Sequence, residues 1–254
     1  MTTVKGHQLR IDRLLVSRGF GTRRDIQKWI RRGEVSYQGI SITEPNVRVP
    51  IEAVLLVKGD LSSPLPKLLA YHKPLKQLST LRDPWGRFGL DHVLPIEWRS
   101  NFHPVGRLDA DTSGLLLFSS DGSLTQYLLH PKRLLLRRYR AVVSNLPENI
   151  TQILQEGVST ALGCFSAVVE DMKQFDYDQH TDYLKQESGI DVARGVIWLS
   201  VTEGKHRMVR RMLHNAGASV LALHREQYGS VNLGHLDEEG FRIVNDVELT
   251  ALHD

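Results

Sequence analysis

The segment PVGRLDADTSGLLLFSSDGSLTQYLLHP, residues 104–131, sets three carboxylates and an arginine around an apolar run. The run, residues 115–118, predicts a strand buried on both faces. Asp121 and the glycine after it predict a turn, so we expect Asp121 to be structural. Ser123 is placed to cap a helix over LTQYLL. The segment therefore predicts a strand, a turn and a helix in direct succession.

Two carboxylates, Asp109 and Asp111, precede this strand in a loop bounded by glycines. A loop carboxylate held by a rigid scaffold is a usual place for catalysis, and a structural loop is the alternative. Arg107 could be the partner of a carboxylate or could bind phosphate. Spacing alone does not decide between Asp109 and Asp111 as the functional residue.

Outward from this segment, residues 68–254 alternate strand-like and helical patterns. LLAYHK, GLLLF, YRAVVS and GVIWLSVTEG are strand-like, whereas SLTQYLL, NITQILQEGV and HRMVRRMLHNAG are helical. This order predicts an α+β domain with a mixed, mostly antiparallel sheet and flanking helices. Residues 171–194 are polar and predict a long loop or insertion. Residues 61–67, LSSPLPK, predict a linker.

Residues 1–60 predict a small domain of two helices and short strands. In the second helix Thr22 is a candidate N-cap, and Ile26, Trp29 and Ile30 form one apolar face. Four basic side chains project from the opposite face, a presentation that suits phosphate contacts: Arg24, Lys28, Arg31 and Arg32. The segment 1–60 holds 11 Lys/Arg and 6 Asp/Glu, whereas the remainder holds 21 and 23. The positive charge is therefore N-terminal, as in a nucleic-acid-binding appendage, and ordinary solvated charge is the alternative.

Two further segments offer candidate site residues. In VTEGKHRMVRRMLHNAG the apolar spacing predicts a helix packed on the core, with Arg207 and Arg211 facing away from that face. Arg210 lies at its flank, where it can reach a carboxylate or extend its stem along apolar surface. Tyr139 stands among arginines in RRYRAVV, which suits stacking on a nucleobase. An edge-strand tyrosine is the alternative.

Several classes of protein are excluded by what the sequence lacks. A single cysteine, Cys164, rules out an internal disulfide framework or a thiolate metal cage. No apolar run is long enough to span a bilayer. Phosphate-cradling, dinucleotide-binding and zinc-protease motifs are missing. We therefore expect an intracellular protein without a metal ion or a redox cofactor.

Taken together, these segments carry a family resemblance. GRLDADTSGLLLF resembles the signature of the RsuA/RluB/RluE/RluF group of rRNA pseudouridine synthases. RIDRLLVSRGFGTRRDIQKWIRRGEVSYQG resembles the S-four-like RNA-binding domain that often precedes it. The chain departs from the family pattern at Met208, where Gln is common, and at His72, where Asn is common. A further departure is Leu75-Lys76, which replaces the usual glycine.

The resemblance implies roles for the candidate residues. Asp109 would be the catalytic aspartate, Tyr139 the aromatic that stacks on the target base, and Arg210 the basic partner of Asp109. Arg107 would help to place the flipped nucleotide. The basic helix face, Arg24, Lys28, Arg31 and Arg32, would grip rRNA phosphates. The implied reaction is the isomerisation of uridine to pseudouridine in rRNA without a cofactor.

The resemblance also bears on partners and target. We expect a monomer that binds rRNA or an assembling ribosomal subunit, in bacterial cytoplasm or an organellar matrix or stroma. LHREQYG, residues 223–229, favours small-subunit rRNA, whereas VRRM favours the large subunit; the prediction made here is the small subunit. A non-catalytic ribosome-assembly factor that retains the fold is the alternative function.

Overall fold

The computed structural model describes residues 8–95, 98–174 and 195–253. Its contacts divide the chain into two compact units, Met1–Lys67 with Asp91–His103, and Leu68–Leu90 with Pro104–Asp254. Residues 91–103, which the sequence-based boundaries assign to the second domain, group with the first unit. Nothing in their local pattern indicates this, because the grouping depends on contacts between residues distant in sequence.

The first unit builds its core from two helices and short strands. Ile11, Leu15, Ile26 and Ile30 are all fully buried and pack against strand residues such as Val35. The elements are α1 (Ile11–Ser17), α2 (Arg23–Arg31), β1 (Gln8–Arg10), β2 (Val35–Tyr37), β3 (Ile40–Ser41), β4 (Arg48–Pro50), β5 (Leu55–Val57) and β6 (Asp60–Ser62). Their sheets have the orders β3-β2-β5-β6 and β1-β4.

Two predictions about this unit can be compared with its elements. The Thr22 side chain accepts a hydrogen bond from the Asp25 N–H at 3.3 Å, which confirms Thr22 as the N-cap of α2. The first two residues of the predicted linker 61–67 lie in a strand. Leu61 and Ser62 belong to β6, because their backbone pairs with β5, and a composition rich in Ser and Pro does not reveal such pairing.

The second unit contains a mixed sheet with helices. Its strands, and the one at its boundary, are β7 (Leu68–Lys73), β8 (His103–Pro104), β9 (Thr112–Ser119), β10 (Arg137–Val143), β11 (Val158–Thr160), β12 (Gly163–Phe165), β13 (Val168–Gln174), β14 (Gly195–Val201), β15 (Val220–Tyr228), β16 (Val231–Asn232) and β17 (Phe241–Ile243). The helices are α3 (Gly122–Leu129), α4 (Ile150–Glu156), α5 (Met208–Asn215) and α6 (Asp246–Ala251), with a 3-10 turn at Pro131–Arg133.

The main sheet runs in the order β13-β14-β10-β15-β9-β7-β17. Along this path β15 and β9 are parallel, and the other neighbouring pairs are antiparallel. The predicted α+β class with a mostly antiparallel sheet is therefore confirmed. Strand β9 lies near the centre, and its residues Leu115, Leu116, Leu117 and Phe118 are all fully buried, as their unbroken apolar run predicts.

Gly114 allows β9 and β15 to approach each other closely. Its φ is 104°, and a Cβ at this position would lie 2.3 Å from the backbone oxygen of Arg225. Only glycine fits at this close approach of two paired strands, because any side chain would collide with the backbone of β15. The glycine in DTSGL thus fixes the distance between the strand after Asp109 and the strand that carries Arg225.

Two local predictions in this unit were wrong. Asp121, not Ser123, caps α3, and its carboxylate accepts hydrogen bonds from the backbone N–H groups of Ser123 at 2.8 Å and Leu124 at 3.2 Å. An aspartate two residues earlier reaches these donors better than the serine. Residues 171–174 continue β13 instead of belonging to a loop; the rest of that predicted loop, 175–194, lies outside the described residues.

Candidate active site

Asp109 is held from both sides by the segment that follows β7. The hydroxyl of Ser79 donates to the backbone oxygen of Leu108 at 2.7 Å and accepts from its N–H at 3.0 Å. On the other side, the N–H of Lys76 donates to the backbone oxygen of Ala110 at 2.7 Å. The Asp109 side chain is 30% exposed. The backbone around this carboxylate is thus fixed while the group itself stays accessible.

Lys76 makes its contact from an unusual conformation. Its φ is 67°, in the left-handed region where glycine is favoured. In the family that the sequence resembles, a glycine usually follows the Lys-Pro pair. The departure at Leu75-Lys76 therefore puts a non-glycine residue into a backbone conformation that a glycine would adopt without strain.

Tyr139 lies in β10 and is only 7% exposed. Across the antiparallel pair its partner in register is Arg225 of β15. Side chains of directly opposed residues lie on the same face of a sheet, about 4.5–5.5 Å apart at Cβ. The Tyr139 ring and the Arg225 guanidinium group are therefore neighbours on one face.

A cavity of about 330 Å³ brings the predicted residues together: Arg107, Asp109, Tyr139 and Arg210 all line it. Such a volume is at the lower end of the range for small-molecule sites. Its walls also include residues that the sequence did not single out for this site: Thr112, Arg137, Lys205, His206, Leu223, Arg225 and Tyr228. Met208, the departure on α5, is buried and also lines the cavity.

The ion pair of Arg210 differs from the one the resemblance implies. Its Nε lies 3.4 Å from Oδ2 of Asp111, and its Nη2 donates to the Asp111 backbone oxygen. The expected pairing of Arg210 with Asp109 is thus wrong for this structure. Burial lowers the pKa of Arg210, and the charges of Asp111 and, to a smaller extent, Asp109 oppose this. Arg210 therefore remains within electrostatic reach of Asp109.

Arg207 explains why Asp111 takes the ion pair. Its guanidinium group donates to both Asp111 oxygens, at 3.0 and 2.8 Å. Burial would raise the pKa of Asp111, but the hydrogen bonds from Arg207 and the charge of Arg210 outweigh it and lower that pKa. Arg207 immediately precedes α5 with a φ of 53°, and Arg210 lies in its first turn, so a single carboxylate contacts both. The sequence indicated only that Arg207 faces away from the core.

His206 lines the cavity and is largely exposed. Its Nε2 is 3.8 Å from Oδ1 of Asp109, and its side chain is 70% exposed. At this distance the ring gives Asp109 an electrostatic partner only when it is protonated. The position carried no motif signal, and only the fold brings it to Asp109.

Lys73, the last residue of β7, is fully buried. Its ammonium group donates to the backbone oxygens of Pro74 and Gln77, both at 2.8 Å. Burial lowers the pKa of Lys73 to about 8, while Asp109 and Asp111 act in the opposite direction. The sequence analysis singled out the neighbouring His72 and not this lysine. Through its two hydrogen bonds Lys73 holds the segment that leads to Lys76.

The basic face of α2 is exposed as predicted. Arg24, Lys28, Arg31 and Arg32 are all exposed, and Arg32 is 3.9 Å from a carboxylate oxygen of Glu34. The buried Asp12 holds a separate group, since it accepts from Arg10, Arg23 and Gln27. The four predicted residues form one positively charged surface of the first unit.

Comparison with known proteins identifies the family. The model of the RNA pseudouridylate synthase family matches residues 67–215, and that of the S4 domain matches residues 9–55. The chain belongs to the RNA pseudouridylate synthase family. It is thus an enzyme of the pseudouridine synthase class with an S4 RNA-binding domain, and the resemblance read from the sequence is confirmed.

Individual relatives agree with this assignment. Ribosomal large subunit pseudouridine synthase B of Vibrio cholerae is 31% identical, over 88% of this chain and 67% of the relative. The protein of the same name from Bacillus subtilis is 30% identical, over 96% of this chain and 95% of the relative. A crystal structure of a pseudouridylate synthase matches 96% of the chain with a TM-score of 0.61 at 23% identity, which shows a shared fold.

Within residues 8–95, 98–174 and 195–253, no three His, Cys, Asp or Glu side chains are grouped so that they could hold a metal ion. Over the same residues, no helix has both the length and the apolar character needed to cross a bilayer.

Proposed function

We propose that the protein isomerises a uridine of ribosomal RNA to pseudouridine and that Asp109 is its catalytic residue. One observation carries the proposal: an accessible carboxylate, a nearly buried tyrosine and five arginines line the same cavity. A carboxylate beside an aromatic ring and cations suits a reaction in which a base is detached and held.

The reaction breaks the bond between C1′ and uracil and rejoins the base to C1′ through carbon. It has no net redox change. An ionised Asp109 would act either as a nucleophile at C1′ or as a base toward a sugar proton. In both cases its charge must survive in a partly enclosed site. The guanidinium of Arg210, attached to the neighbouring Asp111, supplies positive potential there.

In this proposal Arg210 acts on Asp109 indirectly, through Asp111, and not through the direct ion pair that the family resemblance implies. Its bond to the Asp111 backbone oxygen ties α5 to the loop that carries Asp109. Its charge then acts on Asp109 from a fixed distance. Arg210 is thus proposed to position the loop and to favour the ionised carboxylate.

Tyr139 and Arg107 would hold the flipped nucleotide. Extruding a base from its stack costs a few kcal/mol, and stacking on an aromatic side chain returns about 1–3 kcal/mol. Tyr139 is fixed in a central strand, so little side-chain freedom is lost on stacking. Arg107 is exposed beside the cavity and can pair with a phosphate of the flipped nucleotide.

We propose large-subunit rRNA as the first target to test. The relatives named above are large-subunit synthases, whereas the small-subunit preference drawn from LHREQYG gains no support from them. Arg24, Lys28, Arg31 and Arg32 would contact phosphates of that rRNA. The reaction would take place where ribosomes assemble, in cytoplasm or an organellar matrix or stroma.

Replacing Asp109 with Asn tests the catalytic role. We expect Asp109→Asn to abolish pseudouridine formation while RNA affinity changes little, because the amide keeps the shape but cannot act as nucleophile or base. The measurement is single-turnover modification of unmodified large- and small-subunit rRNA transcripts, with pseudouridines mapped by chemical labelling. Binding is measured on the same transcripts.

Asp237→Asn is the matched control, since Asp237 is exposed and outside the cavity. It should modify rRNA at the wild-type rate. Activity retained by purified Asp109→Asn would refute the catalytic assignment. A wild-type protein that binds rRNA without modifying it would instead favour the non-catalytic assembly factor.

A further inference from the structure

Apart from Nε of Arg210, which lies in the ion pair with Asp111, two buried polar groups of cavity residues have no hydrogen-bond partner in the described chain. They are the hydroxyl of Thr112 and Nη2 of Arg225, both buried. Burying a polar group without a partner costs free energy, so such groups are usually satisfied. Two unsatisfied groups that line one cavity indicate a ligand with complementary polar atoms.

The strand register fixes where these two groups lie. Arg225 is opposite Tyr139 on one side and opposite Gly114 on the other. Thr112 is opposite Leu223, one step along the same face of the sheet. Thr112, Leu223, Arg225 and Tyr139 therefore form a continuous floor, in which a base stacked on Tyr139 has its edge beside Arg225.

The guanidinium group of Arg225 is held in a fixed orientation. Its Nε donates to the backbone oxygen of Leu115 at 2.8 Å, and it lies 5.3 Å from the ring centre of Tyr228. Gly114 allows the close approach of β9 that this geometry requires. Nε of the guanidinium is thus used by the protein, whereas Nη2 is buried without a hydrogen-bond partner in a residue that lines the cavity.

We propose that Arg225 and Thr112 recognise the base edge of the flipped uridine. Arg225 donates to O4 of uracil, and the Thr112 hydroxyl accepts from the adjacent N3–H or donates to O2. Cytosine presents an amino donor in place of one carbonyl and has no N3–H. The donor of Arg225 would then meet another donor, which disfavours cytosine.

This inference rests on the proposed function, because it takes the ligand of the cavity to be a uridine. Its test therefore uses mononucleotides, which do not require knowledge of the target rRNA. Uridine 5′-monophosphate and cytidine 5′-monophosphate are titrated into the full-length protein, and binding is followed by NMR. The wild type should prefer the uridine nucleotide at least fivefold.

Arg225→Lys and Thr112→Val should each reduce this preference by at least threefold. Lysine keeps the buried charge, but its single ammonium group cannot donate both to the Leu115 backbone oxygen and to a ligand in the cavity. Valine keeps the shape of threonine without its hydroxyl. Thr112→Ser should retain the preference. If these residues had a purely structural role, the substitutions would weaken the binding of both nucleotides equally and leave the ratio of the two affinities unchanged.

Ser113→Ala is the control, since Ser113 lies on the same strand with its hydroxyl 2.9 Å from Nδ1 of His224. It should keep the wild-type ratio. Equal binding of both nucleotides by the wild type, or a ratio unchanged in both Arg225→Lys and Thr112→Val, would overturn the inference. Failure of the proposed function would appear separately, as absence of rRNA modification by a wild type that still discriminates between the nucleotides.

Discussion

At the scale of single residues, His224 shows how burial sets a charge state. Leu223 faces the cavity, so the adjacent His224 faces the other side of the sheet. Its ring contacts Ser113 and lies 5.4 Å from the ring of His72. Burial, together with the charges of Arg140 and His72, lowers the pKa of His224 to about 4. The imidazole is therefore neutral in the folded protein at physiological pH.

We predict that His224 destabilises the protein at mildly acidic pH. Its folded pKa of about 4 lies below the value of about 6.5 in the unfolded chain. Between these values the unfolded state binds more protons, so stability falls as pH falls, by up to about 3 kcal/mol. Urea unfolding at pH 7 and pH 4.5 should therefore show that the free energy of unfolding falls less between the two pH values for His224→Gln than for the wild type.

His235→Gln is the control, because His235 is exposed. Its loss of stability between the two pH values should equal that of the wild type. The same loss in His224→Gln and the wild type would show that another group governs the acid sensitivity.

Asp109 and Asp111 could not be separated by their spacing in the sequence. In the structure Asp111 is paired with Arg207 and Arg210, whereas Asp109 faces the cavity with His206 at 3.8 Å. Arg207, just before α5, and Arg210, in its first turn, both contact Asp111 and leave Asp109 accessible. This distribution depends on where α5 meets the loop, which local sequence does not specify.

At the scale of elements, α2 separates its two functions by face. Ile26 and Ile30 are buried in the core of the first unit, and the opposite side is basic and exposed. The helical period alone produces this separation. The basic face was therefore predictable from sequence, since it needs no tertiary information beyond which side is apolar.

We predict that the basic face of α2 contributes a salt-dependent part of RNA affinity. Replacing Arg24, Lys28, Arg31 and Arg32 with Gln should weaken rRNA binding and reduce the slope of log affinity against log salt by about 3, because fewer counterions are released. The slope is measured on an unmodified rRNA transcript between 50 and 200 mM salt, a range in which such slopes are about linear.

A charge-preserving variant is the control. Changing Arg24, Arg31 and Arg32 to Lys, with Lys28 retained, should leave the slope close to the wild type even if affinity falls. A slope unchanged in the Gln variant would place the RNA contact elsewhere on the protein.

At the scale of the whole molecule, chain order and compact units do not coincide. Residues 91–103 follow β7 in sequence yet cluster with the first unit. Within this segment Leu94 and Phe102 are each 2% exposed. A cut between Lys67 and Leu68 would therefore separate the segment from the unit with which it clusters.

We predict that a fragment of residues 68–254 is less stable than the same residues in the full chain. Leu94 and Phe102 would lose contacts, and exposed apolar surface favours aggregation. Thermal unfolding and light scattering of the fragment and the full chain would test this. A soluble fragment that unfolds at the temperature of the corresponding transition in the full chain would contradict it.

The sequence by itself determined the elements and the family. Apolar periodicity and turn residues predict β7, β9, β10, α2 and α5, because these signals act within a few residues of one another. The signature around Asp109 identified the enzyme class. Local patterns also proposed Tyr139, Arg107 and Arg210 as site residues.

Only the tertiary structure decided which of these groups meet. It joined Arg210 to Asp111, set Arg225 beside Tyr139, buried Lys73 and assigned residues 91–103 to the first unit. Each of these facts depends on strand register or on a contact between residues far apart in the chain. A one-residue shift of register would turn Arg225 away from the cavity, and no local pattern fixes that register.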